Sequence, residues 1–249
     1  MRIHFGRYVF GLAAILYGVL TFAWQDFTVW QQIRALAPHR EILAYVAAAV
    51  EILGGLAIQW RRTERVGAIA LGGIFLVFAL LTIPGIFAEP RVYASWGNFF
   101  EQFSQAVGAL VVFAAAGRSN SGRSSRTGRI ACVLFGMSVM SFAVEQIVYL
   151  RPTANLVPKW IPPGQVFWAI ATTIAFALVA IALLSGRAAL FASRLLTAML
   201  VGFGLLVWLP ACFADPHKLF KWTETAETFA IAGAAWIIAD YLSQKQLQV

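Results

Sequence analysis

Apolar runs about 20 residues long recur along this chain, and no other feature restricts its fold as strongly. They cover residues 7–24, 42–60, 66–87, 98–116, 130–149, 166–184, 188–212 and 222–242. A helix rises about 1.5 Å per residue, so about 20 mainly apolar residues cross the hydrocarbon of a bilayer. The other spanning solution, a closed β-barrel, is written as short alternating strands, and the sequence has none. Composition agrees: 60% of residues are hydrophobic and 12% charged, against roughly 25% charged in soluble domains. The expectation is an all-α polytopic membrane protein with eight transmembrane helices. The first run follows Arg2 and Arg7, as the core of a signal peptide would. It is longer than a signal's apolar region and lacks a small-x-small cleavage site, so it reads as a retained helix.

The net charge is +8. The basic residues sit in short clusters between apolar runs and not on one polar face, which argues against nucleic acid and for membrane lipids as partners. With eight spans, both termini share one side. That side holds 12 of the 19 Lys and Arg residues and the other holds 7. Cytoplasmic connections carry the excess of basic residues. The expectation is a plasma membrane (bacterial inner membrane) protein with both termini cytoplasmic.

One connection differs from the rest. GRSNSGRSSRTGR at 117–129 is rich in Gly, Ser and Arg and cannot bury a core, so it reads as a flexible cytoplasmic linker. It divides the chain into four helices over 1–116 and four over 130–249. The two parts share a pattern. Offsetting by 126 aligns Pro84 with Pro210, Phe87 with Phe213, Glu89 with Asp215, Pro90 with Pro216, Trp96 with Trp222 and Glu101 with Glu227. Seven of the twenty positions from Pro84 to Phe103 are identical, where unrelated sequence gives about one. TFAWQD at 21–26 also resembles SFAVEQ at 141–146. The chain therefore reads as a tandem duplication, the second copy diverged. An even number of helices per copy makes the two repeats parallel.

The repeated prolines and tryptophans have structural readings. Pro84 and Pro210 lie inside the third helix of each copy, about one turn from its outer end, and are expected to kink or end it. Pro90 and Pro216 stiffen the outer loop, and Trp96 and Trp222 fall at the membrane interface. The acids are less easily explained. Glu51 lies near the middle of the second span, among Ala47, Ala48, Gly54 and Gly55. A carboxylate there costs several kcal/mol unless it is paired, hydrogen-bonded or protonated. Small residues permit close helix contact, so Glu51 is expected to face a neighbouring helix, as a packing residue or as a proton or ligand site. Asp26 and Glu145 lie near the outer ends of the first helices of the two copies, with Gln25 aligned to Glu145 and Asp26 to Gln146. Glu101 and Glu227 begin the fourth helices, and Glu101 shares a face with Asn98 and Gln105. One reading gives each four-helix bundle an outward cavity, with Glu101 in one and Glu227 in the other. The other reading places these groups among lipid headgroups as anchors of helix ends.

Phe10-Gly11-Leu12, Tyr17-Gly18 and Glu51-Ile52-Leu53-Gly54-Gly55-Leu56 together resemble the DoxX-like family of small four-helix membrane proteins. The motifs cover residues 7–60, the helix count extends the likeness over 7–116, and the repeat extends it to 129–242. The second copy departs from the pattern, since TTIAFALVAI at 172–181 has neither the glutamate nor the paired glycine. The resemblance implies a four-helix bundle per copy. The family's name comes from a subunit associated with thiosulfate and quinone oxidation, so a quinone is implied by the resemblance alone.

Catalytic and redox motifs are missing from the sequence. Cys132 and Cys212 are expected at opposite membrane faces, about 30 Å apart, too far for a disulfide. His4, His39 and His217 lie outside the spans, and no CxxC or Gly-rich phosphate loop occurs. Two function classes follow. One is a binding or accessory protein for a lipid-like molecule, such as a quinone, or for a membrane partner subunit. The other is a transporter of protons or a small cationic solute that uses the intramembrane carboxylates.

Overall fold

The computed structural model of the chain describes residues 5–25, 40–116 and 121–246. Among the described residues the regular elements are all helical. In chain order they are α1 (Phe5–Trp24), α2 (Arg40–Ala57), α3 (Glu64–Ala88), α4 (Tyr93–Ala116), α5 (Ser121–Val148), the short α6 (Leu150–Leu156), α7 (Gln165–Ser185), α8 (Ala189–Ala214) and α9 (Leu219–Gln246). Six have the length and apolar character to cross a membrane: α1, α3, α4, residues 126–148 of α5, α7 and α8.

The expected spans at 42–60 and 222–242 are helices, but more polar ones. The 18 residues of α2 include Arg40, Glu41 and Glu51, and α9 carries Glu224, Glu227 and Asp240. For α9 the reason is its position. From Thr225 to Ala239 nearly every residue is buried, so its surroundings are other helices. Ionisable residues inside a bundle face protein and not lipid; a helix enclosed in this way tolerates more polar residues than one with a lipid-facing stripe.

The long helices close a ring in chain order. Helix α1 packs on α2, α2 on α3, α3 on α4, α4 on α5, α5 on α7, α7 on α8, α8 on α9, and α9 returns to α1. Helices α4 and α9 also meet across the middle. Small residues set these close approaches. A Cβ on Gly108 would lie 2.6 Å from the Ala234 Cβ, which is the α4–α9 crossing. A Cβ on Gly18 would lie 2.6 Å from the Ala48 carbonyl oxygen, and one on Gly55 2.6 Å from the Gly11 carbonyl oxygen. Glycine lets two backbones meet where any side chain would hold them apart. Phe10, Tyr17 and Phe75 fill the space beside these crossings, with ring centroids 6.0 Å apart for both the Phe10–Phe75 and Tyr17–Phe75 pairs.

The two proline-rich loops have the same geometry. The Trp96 Nε1–H donates to the Pro90 carbonyl at 3.2 Å, and the Trp222 Nε1–H to the Pro216 carbonyl at 3.0 Å. The backbone N–H groups of Glu89 and Asp215 close the preceding helices onto Gly85 and Ala211. Phe87 and Phe213 both point outward, 81% and 72% exposed, which suits lipid contact. Of the two expected outcomes, a kink or an end, neither inner proline ends its helix. Helix α3 runs through Pro84 to Ala88. Helix α8 makes one wide π turn at Gly204–Trp208 and continues through Pro210 to Ala214. A π turn re-routes backbone partners where the α pattern is interrupted, and Gly204 admits the Phe229 ring of α9 against that turn.

Helix α5 begins at Ser121, so residues 121–129, read from sequence as flexible linker, are helical. Helix propagation is far less costly than nucleation. The apolar part of α5 supplies the nucleus, and the Tyr241 side chain of α9 packs against Gly128. Residues 117–120 lie outside the described residues.

Candidate functional site

Polar side chains collect where α4, α5 and α9 converge below the two proline loops. Helix α4 contributes Asn98, Glu101, Gln102 and Gln105, which at spacings of three and four form one stripe. Helix α9 contributes Glu224 and Glu227, one turn apart, and α5 contributes Glu145. Asn98, Gln102, Gln105 and Glu227 are buried, while Glu101, Glu145 and Glu224 are half-buried. The four glutamates lie close enough to feel one another's charge.

Glu227 is the centre of the hydrogen bonding. Its Oε1 accepts the Gln102 Nε2–H at 3.0 Å and the Gln105 Nε2–H at 3.5 Å. Both amides turn their nitrogen to the carboxylate, so the Oε1 atoms of Gln102 and Gln105 are left buried without a partner. The Tyr17 hydroxyl of α1 is buried beside Gln105 and Glu227. Glu145 packs its carboxylate directly onto Gly97, where any Cβ would collide with it. Two tyrosines fasten α4 to α5 at this end. Tyr93 Oη shares a hydrogen bond of 3.0 Å with Ser141 Oγ, and the Ala94 N–H donates to Tyr149 Oη at 3.2 Å.

The nearby cations are engaged elsewhere: Lys218 and Lys221 lie 3.3 and 3.6 Å from Asp215. Among the described residues, no ion pair joins a Lys or Arg to the four glutamates. Nor do three acid, histidine or cysteine side chains converge closely enough there to hold a metal ion. The donor set is all oxygen, strongly acidic and spread over three helices. Carboxyl groups so arranged are chemically suited to protons, or to an organic cation wider than a metal ion.

Glu51 forms a second polar point. It is fully buried on α2, facing α1 where Gly18 meets Ala48 and Ile52. Both of its carboxylate oxygens lack a hydrogen-bond partner. It faces a neighbouring helix, as its flanking small residues led one to expect.

Of the other sequence candidates, Glu101, Gln105, Glu145 and Glu227 come together in the cluster, and Asp26 lies outside the described residues. The expectation of two separate cavities is not met. Glu101 and Glu227 share one site between the first four helices and the last four, because α4 and α9 cross at the centre of the ring. Gln146, aligned with Asp26, turns instead to α7 and accepts from Thr172 and Thr173 at 3.2 and 3.0 Å. Cys132 and Cys212 are both free, and Cys212 Sγ lies 3.1 Å from Thr225 Oγ1.

Sequence reasoning passed over Glu224, Gln102 and Tyr17. The 126-residue offset held the signal for Glu224, which aligns with Asn98 and stands one turn before Glu227. Tyr17 stood in the Tyr17-Gly18 motif of the family resemblance but was given no site role.

Comparison with protein-family models, curated proteins and solved structures returns no match.

Proposed function

We propose that this protein is a multi-pass transporter of protons or a small organic cation, working through the Glu101–Glu145–Glu224–Glu227 cluster. The observation that carries the proposal is four carboxylates on three helices, close enough to feel one another's charge, with the buried amides of Gln102 and Gln105 beside them and, among the described residues, no Lys or Arg paired to them. In a low-dielectric interior that charge has to be compensated. A proton passing from one carboxyl to the neighbouring carboxylate, or an ammonium group seated among them, does so, and either can then be released.

The same proposal takes the chain as eight spans in two parallel four-helix repeats of DoxX-like type, set in a bacterial inner membrane with cytoplasmic termini. What supports the duplication is the central crossing, since Gly108 and Ala234 are themselves 126 positions apart, together with the twin tryptophan-to-proline loops. What supports the orientation is the basic excess on the side of the termini.

The test is proton flux. Purified protein is reconstituted into liposomes that hold a pH-sensitive dye, under an imposed potassium diffusion potential. Parent protein is expected to acidify or alkalinise the lumen faster than empty liposomes, and Glu227→Gln to abolish the difference. Flux equal to empty liposomes, both alone and with a panel of small organic cations, overturns the proposal.

The second reading, a binding or accessory protein for a lipid-like molecule such as a quinone, is favoured by a polar-lined cavity at the opposite end of the bundle.

A further inference from the structure

The geometry points to a binding site for the phosphate-bearing headgroup of an anionic lipid at the end of the bundle remote from the acid cluster. It deepens the lipid-binding reading and does not depend on the transport reading. A cavity of about 210 Å³ opens there between the start of α1, the start of α3, the end of α4 and the end of α9. It is below the roughly 300–1,000 Å³ of a whole small-molecule pocket, so it suits a headgroup whose tails lie outside.

Its two sides differ. Val111, Val112 and Ala115 of α4 and Ile237 of α9 form an apolar wall. Arg7, Arg61 and Glu64 form the polar one. The charges of this wall can be followed atom by atom. Arg7 is 6% exposed, and its Nη1 donates to Glu64, which uses the one acid of α3 that lines the cavity. Its Nη2 donates to the Gln59 carbonyl at 3.1 Å. Its Nε–H is buried without a partner. Arg61 is exposed at the same cavity and forms no ion pair among the described residues. Asp240, Tyr241 and Gln244 on the α9 side each have a partner. The donors left over are thus the buried Arg7 Nε–H and the Arg61 guanidinium at the rim.

A buried guanidinium N–H without an acceptor is costly, and a free guanidinium fork, here that of Arg61, matches phosphate oxygens. Basic pockets between membrane helices take acidic lipid headgroups in this way. The wall of Val111, Val112 and Ile237 then lies along the first carbons of the lipid. A free phosphate or phosphate monoester offers the same oxygens without the tails.

Native mass spectrometry of the detergent-purified protein separates these sources. The probes are phosphatidylglycerol, phosphatidylcholine, glycerol phosphate and inorganic phosphate. Phosphatidylglycerol is expected to be retained over phosphatidylcholine by about tenfold or more, the size of one charge-assisted contact. Arg61→Gln is expected to reduce that preference severalfold with the melting temperature unchanged. Arg7→Gln alone leaves Glu64 unpaired and is at risk of misfolding, so Arg7→Gln/Glu64→Gln is the companion variant, and it is expected to remove the preference. Competition by glycerol phosphate or inorganic phosphate at equal concentration assigns the site to a free phosphate and overturns the lipid assignment. Equal retention of both lipids by the parent, or a preference unaltered in both variants, overturns the site itself.

Discussion

Replacing Gly108 with Val tests the central crossing of α4 and α9 on which the acid cluster depends. A Cβ at 108 would stand 2.6 Å from the Ala234 Cβ, whereas non-bonded carbons rest at about 3.5–4.0 Å. The helices must separate by about 1 Å, or the side chains must leave their rotamers. Overpacking of this kind costs about 1–3 kcal/mol, and Val, with two γ-methyls, belongs at the upper end. Helix propensity returns only about 0.3–0.5 kcal/mol, because Val is a modest helix former compared with Gly. The net expectation is a loss of about 2–3 kcal/mol. For a chain of this size each kcal/mol lowers the melting temperature by about 2–4 °C, giving a fall of roughly 4–12 °C. Gly73→Val is the control, because Gly73 is exposed and a Cβ there meets nothing within 4 Å; its melting temperature is expected to stay close to that of the parent. Thermal unfolding of the purified proteins in one detergent at one scan rate measures both. Equal melting temperatures for Gly108→Val and Gly73→Val would refute the close crossing, and with it the placing of Glu101 and Glu227 in one site.

Glu51→Gln is expected to express and melt like the parent, since an amide fits the same buried place, while Glu51→Lys leaves a fixed charge there and is expected to express poorly; equal yields of the two would contradict this. Trp96→Phe and Trp222→Phe each remove one partly exposed hydrogen bond to a proline carbonyl, so each is expected to cost about 0.5–1.5 kcal/mol and the two costs to match, read as paired melting shifts. Gly97→Leu drives a side chain into the Glu145 carboxylate, and is expected to reduce proton flux even in preparations that still fold. Cysteines placed at Thr63 and Pro90 are expected to label from opposite faces in intact cells with an impermeant thiol reagent; labelling of both from outside would sink the topology.

Much of the helical framework was legible because bilayer thickness translates directly into run length. Wherever an apolar run of about 20 residues stood, a helix formed, and the small residues beside Glu51 marked a close helix contact, which the structure makes with α1 through Gly18 and Gly55. Boundaries were less legible. The run 117–129 reads as linker by composition, yet α5 starts at Ser121, since a docked helix extends into sequence that would not nucleate one. Pro84 and Pro210 left a kink and an end both open, and both helices continue to the loop, because neighbouring helices hold the chain after one lost donor.

The sequence alone determined that this chain is helical and apolar, that its acids are few and placed within or beside apolar runs, and that the segments 84–103 and 210–229 share seven of twenty positions. These follow from local rules, namely hydrophobic run length, the backbone chemistry of proline and the cost of a charge in hydrocarbon. The tertiary structure decided where the acids meet. Glu101 and Glu227 lie 126 residues apart, and which helices adjoin depends on which surfaces pack closely enough. Gly108 against Ala234 brings α4 onto α9, and Gly97 admits the Glu145 carboxylate of α5. Those contacts gather Glu101, Glu145, Glu224 and Glu227 into one site where the sequence suggested two, because side-chain volume at a helix crossing is a property of pairs of segments and is not written in either one.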